Sequence, residues 1–302
     1  MRQPLPLMSG HMDFVVLGQQ IVNGLVNGMA YVLIATGLTL IFGVLRIVNF
    51  AHGEFYMLGA FITYYIITLM GVDYIWAAAI ATVVVAGLGI LANVLFFWPL
   101  RKEHEFTILL SSLGLALLLT NGGEVIFGAD PKYIPSPFSE EIVELGDIFV
   151  TQQRVLVFGV GVVVLVALYY FIKNSTMGKM MRATAQNPEG AALTGINIRK
   201  VHAVTFLLAC GLAALAGALV GPTAMIFPTV GSWAVLKGFI VVIMGGLGSI
   251  PGALVGGLLL GVIESLGGGY ISLGFAEAIG YAIIIVVLLW RPQGLFGVAR
   301  KA

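Results

Sequence analysis

A polar hexapeptide interrupts the apolar sequence at Asn49-Phe50-Ala51-His52-Gly53-Glu54. A histidine and a carboxylate so close in sequence could serve acid–base chemistry or bind a metal ion. On a helix, however, His52 and Glu54 diverge by about 200°, because each residue turns the helix by about 100°. A helical zinc site uses ligands at i and i+4 and a third elsewhere, and the four histidines offer no such set. We therefore expect no metal here.

The hexapeptide is better explained as the polar start of a helix. Asn49 or His52 would cap that helix, and Glu54 would lie in its first turn, where a negative charge is favourable. The first alternative is a specific functional role for Asn49, His52 and Glu54 in gating or in a transport path. A membrane-embedded enzyme that uses His52 and Glu54 is the second, although the sequence offers these two residues no further catalytic partner.

A further carboxylate, Glu264, lies inside a later apolar run, in Val262-Ile263-Glu264-Ser265-Leu266. A charge near mid-membrane costs about 2.5–3.5 kcal/mol on insertion scales, so Glu264 is a second candidate for gating or for the path. Gly267-Gly268-Gly269 follows at once and is expected to place it near the membrane surface. Three other charged residues are expected near span ends, where long side chains can reach the surface: Lys237, Glu124 and Glu277. This distribution weighs against proton-driven transport, which would place carboxylates nearer the span centres.

The composition places these residues in a membrane protein. Of the 302 residues, 59% are hydrophobic and 10% are charged, and the mean hydropathy is +1.03, whereas about a quarter of a soluble domain is charged. The net charge is +1, with no basic stripe for nucleic acid and no GxxxxGK[ST] motif for a nucleotide. The one cysteine, Cys210, excludes a disulfide framework. No secretory signal peptide is evident, and residues 9–12 could be a cloning scar.

Apolar segments predict the architecture, because a spanning helix needs about 20 mainly apolar residues. The candidate spans are 17–43, 54–71, 75–98, 106–127, 155–173, 203–222, 233–249, 252–268 and 275–290. The seventh merges with the eighth through glycines at 245–252, and this pair could be a re-entrant hairpin. We therefore expect an all-α polytopic membrane bundle with eight or nine transmembrane segments, forming a single domain over residues 1–302.

Charged residues predict the orientation, since basic residues are enriched in cytoplasmic loops. Three basic clusters fall on one side if nine spans alternate, namely Arg101-Lys102, the segment 173–200, and Arg291 with Arg300 and Lys301. The loop 128–153 is acidic and contains three prolines, so it is expected to be irregular and extracytoplasmic. The C-terminus would then be cytoplasmic and the N-terminus outside.

Glycine spacing indicates how the helices meet. Four pairs have the small-xxx-small spacing that lets helix backbones approach closely: Gly24–Gly28, Gly217–Gly221, Gly252–Gly256 and Gly257–Gly261. Glycine is also generally common in membrane helices, so these pairs predict close packing without identifying a substrate path. The packing could lie within the bundle or at an interface with another chain.

A polar island at 174–202 separates two apolar runs and carries four basic residues between Thr176 and Lys200. Within it, Glu189-Gly190-Ala191-Ala192 followed by Gly195 reads as a short helix of small residues that ends in a turn. A solvated connector with Gly195 as its helix stop is one explanation. A surface on which another subunit docks is the other.

Several motifs match one protein family. They are Asn23-Gly24 through Gly37-Leu38-Thr39-Leu40-Ile41-Phe42-Gly43, Ile47-Val48 with the hexapeptide, Arg182-Ala183, Leu193-Thr194-Gly195-Ile196-Asn197, Gly245-Gly246-Leu247-Gly248-Ser249-Ile250-Pro251-Gly252-Ala253, and Arg291-Pro292-Gln293-Gly294-Leu295-Phe296-Gly297. Together they resemble permease subunits of branched-chain (hydrophobic) amino-acid ABC importers, a group that includes urea and short-amide permeases. The resemblance covers nearly the whole chain and implies a type II-like importer permease of a bacterial inner membrane.

The resemblance also assigns a role to the polar island. Such permeases carry a cytoplasmic Glu-Ala-Ala-x3-Gly-type loop that docks on an ATPase subunit, and Glu189, Ala191, Ala192 and Gly195 match it. Gly190 departs from the pattern, because an alanine usually stands there. The implied partners are a second permease subunit, two ATPases that bind ATP and Mg, and a periplasmic substrate-binding protein. No cofactor is expected in this chain itself.

Other possibilities stay open at this stage. Leucine-type amino acids, urea and aromatic acids are all candidate cargoes. A stand-alone secondary transporter would show ion or substrate groups on broken helices at the midplane. The chain shows no clear internal duplication, so we expect a second permease chain, homologous or identical, to complete an alternating-access path.

Overall fold

The computed structural model describes residues 10–291 and 293–297, without the side chains of 10–13, 145, 273 and 275–277. Its helices are α1 Gly10–Leu45, α2 His52–Met70, α3 Tyr74–Ala92, α4 Glu105–Phe127, α5 Gln152–Asn174, α6 Thr176–Gln186, α7 Pro188–Leu193, α8 Ile198–Val220, α9 Val230–Gly245, α10 Ile250–Tyr270 and α11 Leu273–Trp290. A π-helical turn, Asn93–Phe97, extends α3, and short 3-10 turns occur at Pro137–Ser139 and Gly221–Thr223. The residues Ser9, Pro292, Arg300 and Lys301 lie outside this description, as does the side chain of Glu277.

The expected polytopic helix bundle is confirmed. Within the described residues, seven helices are long and apolar enough to cross a membrane, and two shorter apolar helices, Val230–Gly245 and Ala278–Trp290, accompany them. Every predicted span coincides with a helix. The first span is one unbroken helix of 36 residues, α1.

The predicted hairpin of the seventh and eighth spans has two unequal arms. Helix α9 has 16 residues, or about 24 Å, which is short of the roughly 30 Å hydrocarbon layer. Helix α10 has 21 residues and is long enough to span. The turn between them uses Gly246 and Gly248, whose φ angles of 103° and 84° are available to glycine without strain. The hairpin is therefore one short arm and one spanning arm.

The loop at 128–153 is more regular than expected. Strand β1, Ile142–Leu145, pairs antiparallel with β2, Ile148–Thr151, around a tight Gly146-Asp147 turn in which Gly146 has φ 67°. Ahead of it, Lys132 exchanges backbone hydrogen bonds with Ile226, both of 2.9 Å. The prediction of an irregular loop is wrong for this hairpin, since the prolines all precede it. We call this end of the bundle the hairpin end and the opposite one the α6–α7 end.

Helix α1 lies inside the bundle, where its residues from Val32 to Ala35 are fully buried. It packs mainly against α10 and also contacts α5, α8 and α9. The α1–α10 contact uses glycines on both sides: a Cβ on Gly28 would lie 2.8 Å from the Gly257 carbonyl oxygen, and one on Gly261 would lie 2.3 Å from that of Gly24. These distances leave no room for a side chain, so the two helix backbones are in direct contact.

The other glycines of the small-xxx-small set make different contacts. A Cβ on Gly252 would lie 2.2 Å from the Gly245 carbonyl oxygen, and Gly256 faces Val241, so this pair joins α10 to α9. Gly217 of α8 meets the backbone of Tyr56 in α2. Gly221 lies beyond the end of α8 and touches loop side chains instead of a helix, because α8 stops at Val220. These contacts lie within the chain's own bundle.

Candidate functional site

The polar hexapeptide turns back into the bundle after α1 ends. Arg46 makes the turn with φ 57°, a left-handed conformation that is uncommon outside glycine. The chain then runs inward until His52, the first residue of α2, brings its Nε2 to 3.2 Å from the carbonyl oxygen of Ile34. Ile34 lies 11 residues before Leu45, which corresponds to about 16 Å along α1. Helix α2 therefore begins well inside the bundle.

Neither Asn49 nor His52 caps α2, so that interpretation is wrong. The N-cap is Ala51, without a side-chain hydrogen bond. Asn49 instead accepts a 3.1 Å bond from the Ala51 N–H and so holds the turn before the helix. The His52 ring faces α1 at Gly37, where a Cβ would lie 2.6 Å from Nε2. The imidazole thus fills the space that Gly37 leaves.

Glu54 lies in the first turn of α2, as expected, and it also faces the start of a second helix. A Cβ on Gly231, the second residue of α9, would lie 2.5 Å from Glu54 Oε2. Gly53 and Gly231 meet backbone to backbone, since a Cβ on Gly53 would lie 1.9 Å from the Gly231 carbonyl oxygen. Two helix N-termini therefore meet at one carboxylate, which both helix dipoles favour. The Thr120 side chain of α4 also lies close to the Glu54 carboxylate.

The polar side chains of the hexapeptide are buried and incompletely paired. Asn49 and His52 are fully buried, and Glu54 is 1% exposed. Among the described residues, Nδ1 of His52 and Oε2 of Glu54 find no hydrogen-bond partner. Buried polar atoms without partners are rare and point to a functional or mobile element. His52 and Glu54 diverge on α2, as their spacing predicts, one toward α1 and the other toward α9.

Glu264 belongs to a different cluster. Its Oε1 lies 2.6 Å from Lys237 Nζ of α9, and its Oε2 accepts a 2.9 Å hydrogen bond from the Tyr31 hydroxyl of α1. The expectation that Lys237 lies near a span end is wrong, because it is the eighth of the 16 residues of α9. Its side chain is 2% exposed and that of Glu264 is 11% exposed, so the two are paired inside the bundle. Glu124 is exposed near the end of α4, as expected.

The polar island forms two short helices at the α6–α7 end. Ser175 caps α6, and Asn187 caps α7 by accepting a 3.0 Å bond from the Gly190 N–H. Helix α7 ends at Leu193. The chain turns at Gly195, which has φ 86°, and the Ile196 N–H donates a hydrogen bond of 3.1 Å back to the Ala191 carbonyl. A Cβ on Gly190 would lie 3.1 Å from the Asn187 amide nitrogen. The departure from alanine at 190 therefore leaves room for the Asn187 cap.

The exposed side of α7 contains most of the predicted docking residues. Glu189, Ala192 and Gly195 are exposed, while Ala191 is 5% exposed and faces inward. Sequence reasoning missed Leu193, which is 90% exposed at the end of α7. Its place in an otherwise small and polar segment, outside the apolar runs, is the signal that the sequence offers.

Sequence reasoning also missed the partners that tertiary contacts bring together. Gly231 was not singled out, although its missing side chain makes room for the Glu54 carboxylate. The rings of Phe50 and Phe239 pack with centroids 5.0 Å apart, and no local pattern connects residues so distant in sequence. Lys237 was noted only as a charge near a span end.

Comparison with known proteins identifies relatives over almost the whole chain. The family described as "Branched-chain amino acid transport system / permease component" matches residues 20–289. The high-affinity branched-chain amino acid transport system permease protein LivH of Escherichia coli K12 is 35% identical over 298 residues, which cover 94% of this chain and 97% of LivH. BraD of Pseudomonas aeruginosa, a permease protein of the same description, is 35% identical over 292 residues, or 92% of this chain and 95% of BraD. LivM of Escherichia coli K12 is 25% identical over 303 residues, or 90% of this chain and 69% of LivM.

Proposed function

We infer that this chain, which belongs to the family of branched-chain amino acid transport permease components, forms one membrane half of an ATP-driven amino-acid importer. The relatives LivH and BraD carry branched-chain amino acid transport in their names. They favour leucine-type amino acids over urea, short amides or aromatic acids as cargo. The membrane is the bacterial inner membrane, and the α6–α7 end faces the cytoplasm because its loops carry the basic residues.

The α6–α7 unit supports the part of this proposal that concerns coupling of transport to an ATPase. It presents a capped short helix whose last residue, Leu193, is 90% exposed. An exposed apolar side chain on a rigid element can fill a pocket on a partner at little conformational cost. We assign that partner as an ATPase subunit, contacted through Glu189, Ala192, Leu193 and Gly195, with Ala191 holding α7 against the bundle. ATP and Mg are bound by the ATPase.

A second permease chain completes the path. Alternating access uses two halves that move against each other, and LivH and LivM of Escherichia coli K12 are both named as permeases of a branched-chain amino acid system. This supports a heterologous pair in which the present chain takes the LivH-like position. A periplasmic binding protein delivers cargo at the hairpin end.

Reconstitution tests the proposal. The chain is assembled in proteoliposomes with its ATPases, a LivM-like permease and the binding protein, and leucine uptake is measured. We expect uptake that needs ATP, that persists when an uncoupler collapses the proton gradient at constant ATP, and that disappears when the second permease is omitted. Uptake abolished by the uncoupler would instead indicate a secondary transporter.

A further inference from the structure

A groove of about 390 Å³ lies at the α6–α7 end of the bundle, where α5 ends and α6 begins. The ends of α1 and α5, the second half of α6 and the start of α10 line it. Most of this lining is apolar and includes Leu40, Val44, Ile172 and Ile250. The volume lies within the range of about 300–1,000 Å³ that is typical of small-molecule sites. We call this groove the α5–α6 groove.

Backbone contacts hold α6 across the end of α5. A Cβ on Gly178 would lie 2.2 Å from the Ile172 carbonyl oxygen, so no side chain fits between the two helices there. Met181, about one turn later, is 1% exposed. Arg182 Nη1 donates hydrogen bonds to the carbonyl oxygens of Ile172 and Lys173. These bonds position the guanidinium at the rim of the groove. Because a guanidinium has five N–H donors, others stay available for a ligand.

Two positive charges at the rim have no counter-ion from the chain. Lys173 and Arg182 both line the groove, and both are exposed. The Lys173 ammonium lies 3.2 Å from the Tyr169 hydroxyl and 5.4 Å from the centre of that ring. Among the residues that the structure describes, no carboxylate oxygen lies within 4.0 Å of either cation, and no acidic residue lines the groove. The rim therefore favours an anion.

The groove also lies where the membrane surface is expected. Within the described part of the chain, α5 is the least buried of the spanning helices, since only 17% of its most apolar stretch is inside the bundle. Its exposed side chains include Val162, Val163 and Val166, which suit contact with acyl chains. Tyr169 and Lys173 follow near the end of the helix, and such residues are typical of the level of the lipid headgroups. The apolar floor of the groove therefore lies at the depth of acyl chains, and its rim lies at the depth of headgroups.

We propose that the α5–α6 groove binds an anionic phospholipid, with part of an acyl chain against Leu40 and Ile250 and the phosphate at Lys173 and Arg182. Basic pockets between spanning helices suit anionic headgroups, and an arginine can bind two phosphate oxygens at once. A protein partner fits this groove less well, because charged residues are depleted in the core of protein interfaces. The bound lipid joins α5 to α6 and so stabilises the α6–α7 unit. Lipid binding of this kind is independent of the cargo and of the ATPase.

Lipid binding to the purified full-length chain in a non-ionic detergent tests the site. Dioleoylphosphatidylglycerol or dioleoylphosphatidylcholine is titrated, and native mass spectrometry counts the molecules bound. We expect one phosphatidylglycerol to bind about tenfold more tightly than phosphatidylcholine, whose headgroup has no net charge. Lys173→Gln should weaken phosphatidylglycerol binding about fivefold, and the further change Arg182→Gln about fivefold more, since each basic residue contributes an attraction of that order. Equal binding of the two lipids, or unchanged affinity in both variants, overturns the proposal.

Lys179→Gln is the matched control. Lys179 is also an exposed lysine, on α6, but it does not line the groove, so the variant should bind phosphatidylglycerol like the wild type. A loss equal to that of Lys173→Gln would mean that general surface charge attracts the lipid, and it would overturn the site. Thermal unfolding without lipid checks that the variants are folded. Lys173→Gln should keep the wild-type midpoint, because its side chain is exposed.

Ala185→Trp separates a phospholipid from a soluble phosphate. Ala185 lines the groove, so a bulky side chain there takes the place of the acyl chain and leaves both cations. We expect this variant to lose most phosphatidylglycerol binding, and an excess of inorganic phosphate to leave the lipid on the wild type. Unchanged binding in Ala185→Trp, or displacement by phosphate, overturns the lipid assignment. Release of the lipid when the second permease chain is added overturns it as well, since protein would then cover the groove. If Ala185→Trp does not fold, the comparison of the two lipids still decides.

Discussion

Lys237 Nζ lies 2.6 Å from Glu264 Oε1, and this ion pair joins α9 to α10 within the apolar bundle. The ammonium also lies 5.9 Å from the centre of the Tyr31 ring and 5.7 Å from that of Trp233. Tyr31 in turn donates a hydrogen bond to the carboxylate. The short helix α9, which begins inside the bundle, is thereby connected to both α1 and α10.

Removing one partner of this pair should destabilise the permease strongly. Lys237→Met or Glu264→Leu leaves one uncompensated buried charge, which costs about 3–5 kcal/mol. The double variant removes both charges and should recover much of the loss. Tyr31→Phe removes one hydrogen bond and should cost about 1–3 kcal/mol, because the bond is to a charged group. Thermal unfolding of the purified chain in detergent checks all four variants. A double variant as unstable as the sum of the singles would contradict a coupled pair.

The α1–α10 glycine contact should not accept a side chain. Gly261→Ala would place a Cβ 2.3 Å from the Gly24 carbonyl oxygen, and overpacking of this kind costs about 1–3 kcal/mol. Gly87→Ala on α3 is the control, because nothing lies within 4 Å of its Cβ position. Thermal unfolding should show a lower midpoint for Gly261→Ala only. A similar loss in Gly87→Ala would contradict the contact as the cause, because alanine favours a helix over glycine and a Cβ at Gly87 meets no neighbour.

Substitutions at Gly195, in the turn after α7, should be tolerated according to the backbone conformation that the new residue can adopt and not according to its polarity. Gly195 has φ 86° and open space around its Cβ position. Asparagine tolerates left-handed backbone while β-branched residues do not. Gly195→Asn should therefore retain most leucine uptake and ATPase co-purification, whereas Gly195→Val should lose both. A side chain at position 195 would meet no neighbouring atom within the chain. Equal loss in both variants would therefore mean that the ATPase contacts the surface at Gly195, and that the backbone conformation of the turn is not the cause.

Leu193 should carry a large part of the proposed ATPase contact. Its side chain is 90% exposed, so Leu193→Ala should leave the thermal stability of the isolated chain unchanged. Loss of a buried interface anchor costs about 2 kcal/mol or more in binding, so co-purification of the ATPase should fall about thirtyfold. Lys179→Ala, an exposed change on α6, is the control and should bind normally. Undiminished ATPase binding by Leu193→Ala would place the contact elsewhere.

Composition and segment length were sufficient to predict the bundle. A run of about 20 apolar residues has one stable form in a bilayer, a helix that satisfies its own backbone hydrogen bonds, and every predicted span coincides with one. The divergence of His52 from Glu54 also follows from helix geometry alone. Local turn chemistry also indicates the 142–151 hairpin, since Gly146-Asp147 stands between two short apolar strands.

Contacts between segments that are distant in sequence could be identified only from the tertiary structure. The sequence shows that Lys237 and Glu264 are charged residues in apolar runs, but pairing lowers their burial cost only when α9 and α10 stand at one particular register. In the same way, Gly231 makes room for Glu54 because two helices happen to begin at the same depth. Helical periodicity determines which way a side chain points on its own helix. Which partner it meets depends on how deep each helix starts in the bundle, and that depth is set by packing between helices, which no local pattern records.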